Sequence, residues 1–471
     1  MQSRSTPFWA ALLALLALSG CTAGRNYTPP DAASLPASYL EDAGSANLLG
    51  TWQTLLADPV LQHLQQHALA DSPDLALALA RLAQARATQA VQDGATGPNL
   101  NANLQSSADH LSKNGELFAN APPQQVLKTQ FINTQAGFDA SWELDLFGYQ
   151  RRLSEAAAAR SQAAAEHAQD ARLSLSAEVT RNYLELRVWQ QRLRLAQQQR
   201  QDMDAQIGMS SVAVQAGGMA PIDLLRAQNQ RDNFSATLPM LALGVRQSMA
   251  ALSPLTGMSM ADLQALLERP GELPPMPPAP AAGLPADLLK HRPDVRAAER
   301  DWAAASADLG VATANQYPHF LLGGNVGWQS VHNNDLLTQA SQFWSFGPRF
   351  SVPLFNRGRL ASQVQANEAA LDAAKASYRK ALLSAVADVD AALSRLSRNE
   401  SRRLQLLQVH AQQQQILAAT QAQYRAGAVS RLDLVQAQRD LNTQQDQLAQ
   451  AQGQSLNALI ALYKALGGDW E

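Results

Sequence analysis

Two aspartates, Asp223 and Asp433, each follow a glycine-containing break in a long helical pattern. The surrounding sequences are AGGMAPID, from Ala216, and AGAVSRLD, from Ala426. A carboxylate repeated in several copies of a chain around one axis would form a ring of negative charge, which narrows a pore, selects cations and responds to pH. The alternative is structural, because the helix dipole favours an acid in the first turn of a helix. The two interpretations are evenly balanced for Asp223, and the ring is favoured for Asp433.

Cys21 is the only cysteine among the 471 residues. An apolar segment, 8–18, follows Arg4 and has the length of the apolar region of a signal peptide. The next residues, LSGC, have the form of a bacterial lipobox, in which the thiol becomes a thioether to lipid. We therefore expect a signal peptide over 1–20 and a covalent lipid on Cys21, with no other cofactor. Thr22 favours sorting to the outer membrane, by similarity to bacterial lipoproteins. The alternative is an ordinary signal peptide with an incidental cysteine.

The remaining candidates for chemistry are weak. His63 and His67 are four residues apart in a helical pattern, a spacing that can hold a metal ion. No glutamate follows His63 and no third ligand is in view, so a solvated helix face is the better interpretation. No nucleophile elbow, phosphate loop or carboxylate dyad occurs in a supporting context. We predict no metal site and no enzyme activity.

The composition is that of a folded chain without a basic surface. Hydrophobic residues make up 46% of the sequence, enough to fill the cores of two to four domains. The formal net charge of -3 provides no basic field, which excludes nucleic acid as a partner. No run of eighteen apolar residues follows Cys21, so a conventional transmembrane helix is excluded, whereas the strands of a barrel are not.

Three sequence segments recur in the same order at nearly one spacing, which indicates an internal two-fold duplication. The segment SPDLALALARLAQARA recurs as RPDVRAAERDWAAASA, WELDLFG as FSVPLFN, and the first glycine break as the second. A proline-rich segment separates the halves. We predict a signal peptide over 1–20, a lipidated extended, equatorial segment over 21–71, a first repeat over 72–268, a linker over 269–290 and a second repeat over 291–471.

Each repeat is predicted to contain one helix, two strands and then long helices. Pro73 and Pro293 suit the first position of the leading helix. Period-two alternation predicts strand pairs over about 98–147 and 318–355. Proline-free runs over 151–215 and 359–425 predict helices of about 100 Å, within helical regions of about 150–252 and 358–466. The glycines Gly217, Gly218 and Gly427 interrupt these helices, and Leu434, Leu441 and Leu448 recur every seven residues, which indicates antiparallel coiled-coil packing.

The strands have one apolar and one polar face, and each has the length needed to cross a membrane at a tilt. The polar positions include five residues that we expect to line a water-filled lumen, chiefly by solvating it: Asp139, Glu143, Asp145, Asn325 and Arg349. Four strands cannot close a barrel, and an open edge in lipid leaves backbone groups unpaired. Two copies would give eight strands and a filled interior, whereas three would give twelve strands and a lumen. The trimer is favoured.

Four segments, WELDLFG, RPDVRAAE, PLFNRGRL and YRAGAVSRLDLVQAQ, together resemble the outer-membrane efflux lipoproteins of the OprM and NodT type within the TolC superfamily. The resemblance extends over essentially the whole mature chain. It implies a mainly α fold with a β-barrel contribution, in which a homotrimer forms a twelve-stranded barrel in outer-membrane lipid, continuous with an α-helical tunnel through the periplasm. It also implies two partners, a periplasmic adaptor (membrane fusion) protein and an inner-membrane transporter of the resistance-nodulation-division class. The chain would be the passive exit channel for drugs or other toxic small molecules.

The resemblance also implies a gate at the periplasmic tips. Related channels close with two acidic positions three residues apart on the second repeat. Asp433 matches the first of these positions, but Gln436 occupies the other. Tyr424 matches a tip tyrosine that contacts a neighbouring helix in the closed state of the family. The departure at Gln436 leaves open how tightly this gate closes.

Two other functions are compatible with parts of the pattern. The exit duct of a type I protein-secretion system would share the fold, but the predicted lipid argues against it. A lipid-anchored periplasmic coiled-coil scaffold or adaptor would carry one helical hairpin and compact β-domains. The repeated combination of a strand pair and long helices favours the channel.

Overall fold

Helices account for most of the described residues, and strands for four segments among them. The computed structural model describes residues 23–29, 38–40, 56, 58–114, 129–277 and 291–468, so Cys21 and residues 278–290 of the linker lie outside the described residues. The elements in chain order are α1 (Pro59–Asp71), α2 (Pro73–Ala95), β1 (Asn99–His110), β2 (Gln130–Leu144), α3 (Tyr149–Gln215), α4 (Pro221–Ser235), α5 (Leu238–Thr256), α6 (Met260–Leu267), α7 (Pro293–Ala314), β3 (His319–Ser330), β4 (Gln342–Ser351), α8 (Arg359–Arg425) and α9 (Arg431–Ala465). The predicted mainly α fold with four strands is confirmed.

Prolines and glycines set the ends of the principal helices. Pro73 and Pro293 are the first residues of α2 and α7, as predicted. Helices α3 and α8 each have 67 residues, which corresponds to about 100 Å at 1.5 Å per residue. Both lack an internal proline, so every backbone amide beyond the first turn can be hydrogen-bonded within the helix.

Each long helix ends at a glycine in the left-handed conformation. Gly217 has φ 75° and Gly427 has φ 72°. The next residue in each case closes the turn, because Gly218 N donates to Ala213 O at 2.8 Å and Ala428 N donates to Gln423 O at 2.9 Å. These bonds satisfy carbonyls at the helix end, the pattern known as a Schellman motif. The predicted chain reversals are confirmed, with positive φ at Gly217 and Gly427 and not at Gly218.

The structure differs from the predicted helix pattern in both the first repeat and the segment before it. The helical region predicted to about residue 252 is interrupted between α4 and α5, because Pro239 has no amide hydrogen to donate to the preceding turn. The segment 21–71, predicted as extended or equatorial with a helical pattern at His63 and His67, includes α1, which begins at Pro59. Asp58 caps α1 by accepting from Val60 N at 2.9 Å.

The four strands form one antiparallel sheet in the order β1-β2-β3-β4. The register places Ala102 opposite Phe138, Phe138 opposite Val326, and Val326 opposite Trp344. Strand β2 therefore pairs with β3, about 180 residues away in the chain. Among the described residues, strands β1 and β4 each have one neighbouring strand, so both present an unpaired edge.

The chain divides into two compact units, and each unit combines segments from both sequence repeats. The first unit takes its described residues from Met1–Pro29, Ala83–Gln162 and Glu299–Ser377, and it contains the sheet. The second takes its described residues from Pro30–Leu82, Ala163–Ala298 and Tyr378–Glu471. The units therefore do not follow the division of the sequence into tandem halves.

Large side chains fill the core of the second unit, where α1, α5 and α6 pack together. The fully buried leucines there include Leu61, Leu64, Leu252, Leu263 and Leu267. Burying a leucine side chain stabilises the fold by about 2 kcal/mol. These short helices therefore gain their stability from packing rather than from helix propensity.

The predicted coiled-coil seam of α9 is confirmed. Leu441, Leu448 and Ala451 are buried, and Leu417 of α8 packs in a cluster with Ala437 and Leu441. Alanine at the seam allows the helix axes to approach closely. The first unit uses the same principle, with Ala159 of α3 packed against two alanines of α7.

A buried polar network in the second unit holds the beginning of the linker against α3. Tyr183 donates to Asp58, and Arg187 Nε donates to the Tyr183 oxygen at 2.9 Å. Arg187 Nη1 also donates to Arg269 O at 2.9 Å. Burial is the main factor that raises the pKa of the Tyr183 phenol, which therefore stays neutral and donates.

Gly257 provides a test of this packing. It ends α5 with φ 71°, and a Cβ atom there would lie 2.7 Å from Asp71 O, a backbone atom that cannot rotate away. We expect Gly257→Ala to reduce the stability of the fold by about 1 kcal/mol or more, because it adds both backbone strain and a steric clash. The measurement is the midpoint of heat-induced loss of helical circular dichroism in detergent.

The matched control is Gly208→Ala within α3, where no heavy atom lies within 4 Å of the added Cβ position. Alanine is favoured over glycine inside a helix by about 1 kcal/mol, so this variant should be at least as stable as the wild type. An unchanged midpoint for Gly257→Ala would contradict the assigned packing at the end of α5.

Candidate functional sites

The sheet has one apolar face and one polar face, as its alternating sequence predicted. Even-numbered residues form the apolar face, where Trp344 is 79% exposed, Phe346 and Phe350 are each 70% exposed, and Leu104 is 77% exposed. Aromatic and aliphatic side chains on neighbouring strands thus form a continuous uncovered surface. Such a surface is typical of a site that contacts a partner or a membrane.

The opposite face contains a cluster centred on Asp139. Asn101 Nδ2 donates to Asp139 Oδ2 at 3.1 Å, and Asn103 Nδ2 donates to the other carboxylate oxygen. Asn325 lies directly opposite Asp139 on β3. A groove of about 420 Å³ on this face is lined by Asp139, Asn325 and Arg349. Three of the five predicted lumen residues therefore share one groove.

The other two predicted lumen residues have local structural partners. Glu143 accepts from Gln150 Nε2 at 2.8 Å, and its second oxygen lies 2.7 Å from His319 Nδ1. Asp145 lies beyond Leu144, the last residue of β2, so the prediction that it belongs to the strand is wrong. Its carboxylate accepts from Arg151 N at 2.8 Å. The free backbone amides at the beginning of α3 account for this position, since they require an acceptor.

The two glycine turns contribute to one site in the second unit. A groove of about 440 Å³ is lined by residues that follow both turns, including Met219, Asp223 and Arg431. Arg431 Nη2 donates to Gln206 O, on α3, at 3.2 Å. Asp223 forms an ion pair with Arg226 at 3.1 Å on an exposed helix surface. The structure therefore brings the two predicted tips together.

Asp433 has a defined structural role at the beginning of α9. Ser430 N donates to Asp433 Oδ2 at 2.9 Å, and Asp433 N donates to Ser430 Oγ at 3.3 Å, which forms a capping box. The hydrogen bond from the Ser430 side chain, followed by that from its backbone amide, lowers the pKa of Asp433. The helix-capping interpretation of Asp433 therefore applies in this structure, and the carboxylate stays charged to a lower pH than an ordinary aspartate. A role in a charged ring stays a prediction.

The other predicted gate residues lie close to the same turn. Tyr424 is in the last turn of α8, and its side chain is 40% exposed. Gln436 Nε2 donates to Asp440 Oδ1 at 2.8 Å, so this glutamine is engaged with its own helix.

An ion cluster around the buried Arg292 in the second unit was not predicted from the sequence. Arg292, immediately before α7, contacts Asp294 at 2.7 Å and Asp388 at 3.2 Å, and it donates to Ala465 O at 3.1 Å. Burial disfavours the charged form of Asp294, but the hydrogen bonds and charge of Arg292 outweigh burial and lower its pKa. Burial, followed by the charge of Asp294, raises the pKa of Asp170. The RPD sequence was a possible signal, but only the folded chain places Asp388 and Ala465 beside it.

Neither metal ligation nor a membrane-spanning helix is found in the described parts of the chain. His63 and His67 have ring centroids 4.7 Å apart, and His67 Nδ1 lies 3.3 Å from Asp71 Oδ2. The described residues contain no cluster of three or more potential metal ligands. Among those same residues, no helix combines the length and the apolar character needed to cross a membrane.

Comparisons with known proteins assign the family. The chain matches the family described as outer membrane efflux protein over residues 64–258 and 284–468. It is 28% identical to Nodulation protein T of Rhizobium leguminosarum bv. trifolii, with 99% of this chain and 97% of that protein covered. It is 29% identical to the solvent efflux pump outer membrane protein SrpC of Pseudomonas putida, with 100% and 99% covered.

The structure is also similar to a solved channel. The outer-membrane channel OprN is 29% identical in sequence and superimposes with a TM-score of 0.83, covering 95% of this chain and 99% of that chain. The family is one of outer membrane efflux proteins, and OprN is an outer-membrane channel; neither is an enzyme, in agreement with the predicted lack of enzyme activity. We conclude that the chain belongs to the outer membrane efflux protein family, within the TolC superfamily, as its sequence motifs predicted.

Proposed function

We propose that this protein is the passive exit channel of a tripartite efflux pump, assembled as a homotrimer in the outer membrane. The observation that supports this proposal is the open four-stranded sheet, which exposes aromatic side chains on one face and polar side chains on the other. Lipid would cover the apolar face, and water would fill the polar side. Three copies would supply twelve strands, enough for a barrel with a lumen, whereas eight strands would leave an interior filled by side chains.

The long helices support a tunnel that continues from the barrel. Helices α3 and α8 each extend for about 100 Å, several times the thickness of a bilayer. Their alanine and leucine seams suit packing between antiparallel helices. The two separate matches to the efflux family, one in each half, support the proposed duplication of the chain.

The proposed partners are a periplasmic adaptor and an inner-membrane transporter of the resistance-nodulation-division class. Similarity over the full chain to the outer membrane protein of a solvent efflux pump supports this assignment. We propose toxic small molecules, including hydrophobic solvents and drugs, as the exported class. The tips around Asp223 and Asp433 would form the periplasmic gate, and a lipid on Cys21 would anchor the amino terminus in the outer membrane.

Deleting the gene should increase the accumulation of toxic compounds, because the pump would lose its exit across the outer membrane. The measurement is intracellular accumulation and growth inhibition for a panel that includes toluene and several drugs. Complementation with the wild-type chain should restore resistance. Wild-type accumulation and susceptibility for every compound, in a strain without a redundant exit channel, would rule out the efflux assignment.

Removing the charge of Asp433 should raise single-channel conductance in planar bilayers, because three carboxylates around the axis would narrow the passage. We expect Asp433→Ala and Asp433→Asn both to show the increase. The matched control is Ser430→Ala, which breaks the capping box but keeps the carboxylate.

These variants separate the two roles of Asp433. A charged ring predicts that conductance follows the charge and is nearly unchanged in Ser430→Ala. Helix capping alone predicts that Ser430→Ala and Asp433→Ala behave alike. Because the pKa of Asp433 is lowered by the capping hydrogen bonds, any acid-induced opening through this residue should occur below the pH at which an ordinary aspartate is protonated.

Cys21→Ser should abolish lipid attachment while sparing assembly, since the proposed barrel itself holds the protein in the membrane. Metabolic labelling with palmitate measures attachment, and the oligomer on a mild detergent gel measures assembly. Labelling that persists in Cys21→Ser would show that the lipobox prediction is wrong.

A further inference from the structure

We infer that Arg349 of one copy contacts the Asp139 cluster of the next copy through the side-chain amides of Asn101 and Asn103. These residues would form a chain of polar contacts, called here the relay, across each seam of the barrel, where β4 of one copy meets β1 of the next. The inference rests on the proposed assembly of copies edge to edge. It identifies which side chains would select the partner edge and the register.

Both edge strands are exposed, and neither has a second strand neighbour in the part of the chain that the structure describes. Residues 99–106 of β1 are exposed throughout, as are eight of the ten residues of β4. The free edge of β1 and the free edge of β4 thus each present unpaired backbone donors and acceptors. A second copy supplies the matching edge, because β4 of one copy and β1 of the next would continue the antiparallel alternation of the sheet.

The strand lengths and the two faces restrict the register between copies. Strand β4 has ten residues and β1 has twelve, Gln342–Ser351 and Asn99–His110. The even-numbered residues of both strands belong to the apolar face, so even positions must oppose even positions. If all ten residues of β4 are paired, only two registers satisfy this condition. Arg349 then lies directly opposite Asn103 in one register and opposite Asn101 in the other.

The chemistry of the two sides is complementary. Asn101 and Asn103 use their Nδ2 groups to hold Asp139, which leaves their Oδ1 atoms as acceptors at the free edge. Arg349 is the only charged residue in Gln342–Ser351, and it is exposed. Its guanidinium has five N–H donors and would donate to these amide oxygens, placing its positive charge close to the Asp139 carboxylate.

The single chain leaves this charge arrangement incomplete. Asp139 and Arg349 line the same groove, but the carboxylate level with Arg349 across β3 is Glu143, which is already engaged with Gln150 and His319. Within the described part of the chain, Arg349 forms no salt bridge. A neighbouring β1 would provide Arg349 with the Asn101 and Asn103 amides and, behind them, the Asp139 carboxylate, on the edge where β4 has no strand partner among the described residues.

Engineered disulfides between copies test the seam. We expect Asn103→Cys with Arg349→Cys, or Asn101→Cys with Arg349→Cys, to give disulfide-linked dimers and trimers of the membrane-assembled protein on a non-reducing denaturing gel, since directly opposed Cβ atoms lie within disulfide reach. The matched control pairs Asn99→Cys with Ser345→Cys, which are at least six residues out of register in both arrangements. Cross-linking by one of the first two pairs should exceed that of the control by about tenfold. The single-cysteine variants control for disulfides with Cys21.

The result separates this inference from the proposed function. If the oligomer forms and efflux is retained but neither pair cross-links, the relay is wrong and the channel proposal stands. If the protein is monomeric and efflux is absent from the parent strain, both are wrong. Cross-linking by the control pair at the same level would also overturn the assigned register.

A charge reversal provides a second, independent test. Arg349→Glu would place a carboxylate against the Asn–Asp139 cluster, so the oligomer should be lost at a lower temperature on semi-native gels. Adding an arginine opposite position 349, by Asn103→Arg in one register or Asn101→Arg in the other, should restore the wild-type temperature, because it returns a guanidinium to the seam from the other strand. An unchanged temperature for Arg349→Glu, or no restoration in either double variant, would contradict the relay.

Discussion

The unpaired edges of the four-stranded sheet are the constraint on which the rest of this structure depends. A sheet with open edges and an uncovered aromatic face satisfies neither its backbone hydrogen bonds nor its apolar side chains within one chain. Sheets in lipid avoid this cost by closing into barrels. The described residues supply four strands, and the proposed trimer would supply the twelve that a barrel with a lumen needs.

The helices differ from the sheet because each satisfies its backbone internally. At their ends, however, the helices need hydrogen-bond partners for free backbone groups and a turn that reverses the chain. Two kinds of local structure provide these. Left-handed glycines, Gly217 and Gly427, close the carboxyl ends of α3 and α8. A capping box of Ser430 and Asp433 closes the amino end of α9. The proposed gate is therefore built from groups that are already needed to end helices, which explains how one carboxylate can have both a structural and a functional role.

The buried polar clusters connect segments that are distant in the sequence. Arg292 links the beginning of α7 to α8 and to the end of α9, and Arg187 links α3 to the beginning of the linker. Because a buried charge without a partner is costly, losing these contacts would leave each arginine buried and uncompensated, which favours the observed arrangement of the helices. They lie in the second unit, which draws its segments from both sequence repeats.

The sequence by itself determined the elements, their faces and the family, because these depend on local preferences. Period-two alternation identified four strands. A run without proline that ends just before Gly427 placed α8 at its observed bounds, Arg359–Arg425. The motifs also predicted the efflux family, which the comparisons confirmed. Only the tertiary structure decided that β2 pairs with β3 and that Arg292 contacts Asp388. It also decided that Asp139, Asn325 and Arg349 share a groove, whereas Asp145 caps α3. The physical reason is range: backbone conformation and periodicity act over a few residues, whereas these contacts join side chains brought together through space by the folded chain.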